Sequence, residues 1–250
     1  MLQGKSIIVT GAGSGVGRSA GLLIARAGGN VLLADVNEEG GQKTLEMIVK
    51  EGGKAKFVRT DIAVEDDARR MVESAVTAYG QLDGAFNNAA IAQTSVLLHE
   101  LSTEAWQRNL DINLTGTFFC MKYQITAMLK TGGGSIVITS SAAGINGFPL
   151  APEYCSSKHG VIGLMRNAAV DYGGKGIRVN AILPGAIRTP MLMKAMTENP
   201  GMEEYLKSIH PLGRYSEPDE VAQSALWLLS DMASFVTGAA IPVDGGYTTH

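Results

Sequence analysis

The sequence predicts an α/β fold: one domain over residues 1–250, built as a doubly wound, mostly parallel seven-stranded sheet flanked by helices. Three observations lead there. Short β-branched apolar runs alternate with longer stretches of helical periodicity, the order that makes parallel strands joined by right-handed crossovers. A glycine-rich turn, Thr10-Gly11-Ala12-Gly13-Ser14-Gly15-Val16-Gly17, separates the first strand from the first helix. No internal repeat, low-complexity stretch or linker divides the chain, and one core can serve this length.

The first strand is Ser6-Ile7-Ile8-Val9, and the first helix runs from Gly17 to Ala27 with Leu22, Leu23 and Ile24 at helical spacing. Strand, glycine loop and helix in this order bring backbone N–H groups and a helix N-terminus up to a diphosphate. Glycines at 11, 15 and 17 remove Cβ atoms from a tight turn, from the phosphate face and from the strand–helix contact. Ser14 and Val16 line the same loop. The second strand, Asn30 to Ala34, ends on Asp35. An acid about 20 residues beyond the glycine loop accepts hydrogen bonds from adenosine ribose hydroxyls. It also repels a 2′-phosphate, and neither Ser14 nor Val36 supplies a cation to offset that, which favours NAD over NADP. A helix-capping aspartate is the structural alternative.

Glu38 to Lys50 reads as a helix stopped by Gly52-Gly53, and Ala55 to Arg59 as the third strand. Asp61, followed by Ile62, either binds the adenine amino group or orders the turn before the helix at Glu65 to Tyr79. The fourth strand, Gly84 to Phe86, runs into Asn87-Asn88-Ala89-Ala90, a pair of asparagines able to bridge backbone and cofactor or simply to form a turn. A long helical stretch follows from Leu101 to about Lys130, capped by Ser102 or Thr103. Asn113 lies within it among apolar residues, a candidate for a buried polar network. The fifth strand, Ser135 to Thr139, ends on Ser140-Ser141. Glu153 to Asp171 is the next helix, with Tyr154 and Lys158 at i and i+4 on one face. Ile177 to Leu183 is the sixth strand, closed by Pro184-Gly185. Residues 189–212, rich in methionine and cut by Pro190, Pro200 and Pro211, suit a mobile lid over an apolar pocket or an ordinary surface insertion. Glu217 to Ser230 is an amphipathic helix and Ala239 to Val243 the last strand.

Composition excludes several classes. Net charge is −3 with no basic block, so neither nucleic acid nor an anionic membrane has electrostatic support. No apolar run approaches membrane-spanning length, and a strand beginning by Lys5 leaves no room for a signal peptide. The two cysteines, Cys120 and Cys155, read as reduced packed thiols. A soluble, cytoplasmic protein is expected. His99, His159, His210 and His250 are scattered, so no metal site is expected.

A tyrosine and a lysine one turn apart form a proton-transfer device. The phenol's ordinary pKa of about 10 is too high for a base near neutrality, and a neighbouring ammonium lowers it. A strand-end serine would hold the substrate oxygen while hydride leaves the carbinol carbon.

Thr10-Gly11-x-x-x-Gly15-x-Gly17, Asp61, Asn87-Asn88-Ala89, Asn113, Ser141, Tyr154-x-x-x-Lys158 and Pro184-Gly185 together resemble the short-chain dehydrogenase/reductase family, over essentially the whole chain from Lys5 to Tyr247. The resemblance implies a Rossmann fold and a catalytic tetrad of Asn113, Ser141, Tyr154 and Lys158. Ser141 rather than Ser140 carries the family's interval to the tyrosine. It further implies that Asn113 anchors a water in a proton relay, that Tyr154 and Lys158 face the cofactor with Lys158 on the nicotinamide ribose, and that Ile187 and Thr189 hold the carboxamide. Gly11, Ser14, Gly15, Val16, Gly17, Asp35, Asp61, Ile62, Asn88, Ala89, Pro184 and Gly185 complete the NAD site. Val243-Asp244-Gly245-Gly246 resembles a C-terminal segment that packs in homotetramers. Two positions depart from the family: Ala90 stands where glycine is usual, and Ala63 where a capping Ser or Thr is common.

Within the family, Phe86 to Ile91, Met121 to Gln124, Arg188 to Leu192 and Ser208 to Pro211 resemble bacterial dehydrogenases of cyclic secondary alcohols, of the cyclohexanol and chlorinated cyclohexadienediol type. The substrate pocket is expected from Gln93, Ser141, Ala143, Ile145, Pro149, Tyr154, Ala186 and Met191, with Met193 and Met196 on the lid. It has no arginine fork, so a neutral hydrophobic alcohol or ketone is expected. The enzymatic alternative is a 3-ketoacyl carrier-protein reductase, against which Asp35 and the missing cation at position 14 argue. A non-catalytic NAD-binding sensor has no reason to keep all four tetrad residues.

Overall fold

The alternation resolves into β1 (Ser6–Thr10), β2 (Asn30–Asp35), β3 (Lys54–Arg59), β4 (Gly84–Asn87), β5 (Gly134–Thr139), β6 (Ile177–Pro184) and β7 (Ala240–Val243). The computed structural model describes residues 1–249, without the side chain of Met191. The strands form one sheet in the order β3-β2-β1-β4-β5-β6-β7. Every adjacent pair is parallel, so the sheet is parallel throughout rather than mostly so.

Because the strands are buried on both faces, they read as nearly continuous apolar runs, and alternate residues feed two cores. Ile8, Ala85, Ile136 and Val179 face α3 (Glu65–Tyr79), α5 (Gly116–Thr131) and α6 (Pro152–Tyr172), where Met71, Met128 and Met165 meet them. Val9, Phe86, Val137 and Ile182 face α1 (Gly15–Arg26), α2 (Glu38–Lys50) and α9 (Pro218–Leu229), where Ile24, Ile48 and Leu228 close the layer. The chain order reverses between β1 and β4. Connections there leave in opposite directions and open a crevice at the strands' carboxyl ends.

Two expectations change. The long helix from residue 101 is interrupted: α4 (Thr103–Leu110), capped by Ser102, passes through one π-helical turn (Asp111–Thr115) before α5. The wider turn holds Asn113 and releases backbone groups from the α ladder, a common device beside functional groups. Residues 189–212 are mostly helical, as α7 (Pro190–Glu198) and α8 (Met202–Ile209). Pro190 opens the first, and Gly201 with its left-handed φ of 90° separates the two.

Candidate active site

The glycine loop is shaped by close backbone approach. Gly11 and Gly15 adopt left-handed φ of 68° and 49°. A Cβ on Gly17 would lie 2.0 Å from the Gly11 carbonyl oxygen, so no larger residue closes this strand–helix contact. Ser14 is the N-cap of α1 but its side chain makes no capping bond, and Val16 is buried in the core. The leading N–H groups of α1 thus remain for an anion. This loop fits a dinucleotide's diphosphate.

Asp35 closes the rim. Its carboxylate accepts the Gly13 N–H and the Asn37 N–H, both at 2.8 Å. A cation does stand nearby: the Arg18 guanidinium donates to the Gly13 and Gly40 carbonyls and to Thr44 Oγ1. Its donors hold the glycine loop to α2, a use invisible in the spacing of residues. Asp61 Oδ1 accepts the Ala63 N–H at 3.0 Å, so Asp61 orders the turn before α3. Ile62, buried, packs its backbone against Gly116, where a Cβ would come within 2.9 Å.

The asparagine pair divides. Asn87 is buried and exchanges two 2.8 Å bonds with Gln124, which places it in the core. Asn88 donates to the Thr10 carbonyl and accepts from Thr139 Oγ1. Thr10 Oγ1 accepts the N–H groups of both Asn88 and Ala89 at 3.0 and 3.1 Å. Thr10 and Thr139, strand-end residues passed over as site residues in the sequence, thereby lock the floor of the crevice.

At the end of β5, the two serines have different work. Ser140 is buried and donates to the Lys158 carbonyl at 2.8 Å. Ser141 lies at the N-cap of a short helical turn, with its Oγ accepting Ala143 N–H, and its hydroxyl lies near enough to Tyr154 to act on the phenol. Lys158 is 2% exposed, its Nζ donating to the Thr139 carbonyl at 2.9 Å and standing 5.5 Å from the centre of the Tyr154 ring. Burial pushes the Lys158 pKa down to about 8. Burial also pushes the Tyr154 phenol up, and the neighbouring Ser141 hydroxyl only partly offsets it. Lys158 Nζ is turned to the Thr139 carbonyl.

Asn113 is 1% exposed and its amide is fully engaged: Oδ1 accepts the Ile91 N–H at 2.8 Å, and Nδ2 reaches the Ile91 carbonyl and Asn109 Oδ1 at 3.0 Å. Its carbonyl accepts Thr117 Oγ1. The side chain pins the segment after β4.

A family model described as enoyl-(acyl carrier protein) reductase matches residues 11–248. The 2,5-dichloro-2,5-cyclohexadiene-1,4-diol dehydrogenase of Sphingobium indicum is 56% identical over 248 residues, covering 99% of this chain and 98% of that protein. The chain belongs to the short-chain dehydrogenase/reductase family. Another relative, the cyclohexanol dehydrogenase of an Acinetobacter strain, is 44% identical over 98% of this chain and 95% of that one. The crystal structure of levodione reductase superimposes with a TM-score of 0.96, at 33% identity, covering 100% of this chain and 99% of that one. These relatives make this short-chain dehydrogenase/reductase an oxidoreductase.

The other residues expected at the site sit on β6 and on the segments that follow β4, β5 and β6. Pro184 ends β6, and Gly185 packs its backbone on Asp244. Ile187 bridges to Ser216. Thr189 caps α7 and rests its methyl 3.1 Å from where a Gly15 Cβ would stand, so α7 begins directly over the glycine loop. Ala143 is buried, Gln93 and Ala186 are half-buried, and Ile145 and Pro149 are exposed. The cavity of about 290 Å³ that Ala186 lines is bounded by His210, Arg214, Glu220 and Asp244, and contains neither Tyr154 nor Ser141. The Met191 side chain and His250 lie outside the described residues. Cys120 is buried, its thiol pushed up to about 12 by desolvation.

Proposed function

We propose that this oxidoreductase transfers a hydride between NAD and a neutral, hydrophobic secondary alcohol or ketone, cyclic or aryl, with Tyr154 as general acid/base. The observation carrying this reading is the grouping of Ser141, Tyr154 and Lys158, with Lys158 Nζ 5.5 Å from the centre of the Tyr154 ring and Ser141 beside the phenol. Ser141 orients the substrate oxygen, Tyr154 exchanges its proton, and the Lys158 ammonium, held by the Thr139 carbonyl, supplies positive charge that favours the phenolate. The cofactor supplies the hydride acceptor and, oxidised, a positive charge that favours the phenolate. Gly11, Ser14, Gly15, Val16, Gly17, Asp35, Asp61, Ile62, Asn88, Ala89, Pro184, Gly185, Ile187 and Thr189 would hold it. Asp35, with both carboxylate oxygens anchored to backbone N–H groups, presents fixed negative charge where a 2′-phosphate would lie.

Names of the relatives support the substrate class. The family model's description names a carrier protein, but the two relatives cited above are named for a cyclohexadienediol and for cyclohexanol. A homotetramer in the cytoplasm belongs to the same reading. Phe118, Leu129 and Val170, exposed on α5 and α6, are the apolar surface such an assembly would cover, and light scattering measures it. No described helix is long and apolar enough to cross a membrane.

The test is initial rates on cyclohexanol, 1-phenylethanol and their ketones with NAD(H) and NADP(H), for wild type and Tyr154→Phe. Loss of the acid/base group should lower kcat by roughly 10³-fold while NADH still quenches protein fluorescence. Full turnover by the variant would sink the mechanism, and faster rates with NADPH the cofactor.

A further inference from the structure

The helix that carries Tyr154 and Lys158 carries a second i, i+4 pair one residue earlier. Glu153 and Ser157 occupy the neighbouring stripe of α6, about 100° round the axis, and both are 0% exposed. Neither contacts Lys158 or Ser141 among the described hydrogen bonds. They face the segment that follows β4. Glu153 Oε1 accepts two donors from Thr94, its N–H at 2.6 Å and its hydroxyl at 2.8 Å. Ser157 Oγ donates to Asn109 Oδ1 at 2.9 Å, and Asn109 Nδ2 reaches the Ala92 carbonyl at 3.2 Å. With Asn113 on Ile91, three buried side chains grip residues 91, 92 and 94 from beneath.

Glu153 is the costly member of this set. A carboxylate kept out of water needs both oxygens satisfied, yet no protein donor reaches Oε2. The two non-glycine residues with left-handed backbone in the described chain, Ser95 and Leu150, lie next to Thr94 and three residues before Glu153. Such conformations persist only where the surroundings hold them. Burial, short bonds and strained neighbours converge on the junction between α6 and the segment carrying Gln93.

We propose that Glu153 is a positioning residue of the substrate side, clamping residues 91–95 to the first turn of α6 so that the pocket wall at Gln93 keeps a fixed distance from Tyr154. This rests on the reading of Tyr154 as the reacting group. Removing the clamp loosens the wall that contacts substrate and leaves the glycine loop, on the far side of β4, untouched.

Two readouts test it. Amide hydrogen exchange of residues 91–96 in the cofactor-free protein is independent of any activity. In Glu153→Ala the Thr94 amide should exchange roughly tenfold faster, and KM for the alcohol should rise by about the same factor. The change in kcat and in NADH affinity should stay within about twofold. Glu153→Gln, whose amide oxygen still accepts both Thr94 donors, should restore most of the KM. If Glu153→Ala does not fold, Thr94→Val, an exposed change that removes one donor, should give a two- to threefold version of the same pattern. Unchanged exchange at Thr94 in the variants that fold, or a fall in kcat and NADH binding together with KM, would overturn the proposal. Should wild type turn over no alcohol at all, the functional reading fails, while the exchange measurement still decides whether the clamp exists.

Discussion

The glycine loop and the α7–α8 segment both border the crevice, and they are built in opposite ways. In the first, the backbone is held at close range: Gly17 against the Gly11 carbonyl, Asn88 and Ala89 N–H on the Thr10 hydroxyl, Gly13 N–H on the Asp35 carboxylate. Nothing there can move without breaking several bonds at once. In the second, Leu206 and His210 are the buried residues among the described side chains from 190 to 210. Its ion pairs, Lys207 to Glu203 and Glu204 and Lys194 to Glu198, are solvent-exposed and add little. The cofactor side is thus over-determined. The other side is held by a few contacts and has the low local stability that moving elements require.

The largest effect should come from breaking the over-determined side. In Gly17→Ala the new Cβ must displace backbone at Gly11 and the Asn88 amide, 3.0 Å away. Overpacking against atoms that cannot rotate aside should lower Tm by roughly 5–10 °C and abolish NADH binding, read by scanning calorimetry and fluorescence titration. Normal affinity in this variant would mean that the loop is far more plastic than its contacts imply.

A smaller effect tests the charge buried on that same side. Lys158 has a folded-state pKa of about 8 against 10.5 for an ordinary lysine, because burial disfavours its ammonium. Below pH 8 both folded and unfolded chains hold the proton and the folded state bears the desolvation cost. Between pH 8 and 10.5 the unfolded chain binds more protons, so this group makes stability rise with pH. The buried Cys120 thiol, held up to about 12, opposes that rise as pH passes 9. Comparing cofactor-free wild type with Lys158→Met cancels the thiol. Denaturant titrations at pH 8 and 10 should show wild type gaining on the order of 2 kcal/mol relative to the variant. A difference that does not change with pH would mean that the ammonium is solvated.

What could be read in the sequence follows the same division. The β–α alternation, the helices at 38–50 and 65–79, and the glycine loop are local patterns, and their periodicity or spacing survives folding unchanged. Interruption of the α4–α5 stretch was not legible, since a π turn inserts one residue without altering composition. Nor were the partners of Thr139, Arg18 and Thr94. Thr139 meets Asn88 because β5 pairs with β4 in a register that places Ile138 beside Asn87. Arg18 meets Gly40 because α1 lies against α2. Glu153 meets Thr94 across 59 residues of chain. Asn87 looked as suited to a cofactor as Asn88, and only the helix bringing Gln124 over it decides otherwise.

The smallest effect belongs to the sparsely held side, at a buried residue that ties it down. His210 follows α8, is 4% exposed and stacks on Tyr247 with ring centres 5.4 Å apart. Its Nδ1 lies 2.6 Å from the Leu206 carbonyl, and its Nε2 accepts the Ala186 N–H at 3.2 Å. The first contact requires a proton on Nδ1 and the second a lone pair on Nε2, so geometry selects one neutral tautomer. Through it the end of α8 is joined to the segment after Pro184-Gly185. His210→Ala deletes both bonds and the stack, but touches no group of the glycine loop or of the Ser141–Tyr154–Lys158 cluster. Protease cleavage within 190–209 should speed up several-fold, and KM for the alcohol should rise by about twofold to fivefold. NADH affinity should fall less than KM rises. An equal loss of both would show that the two sides of the crevice are coupled more tightly than their contrasting construction suggests.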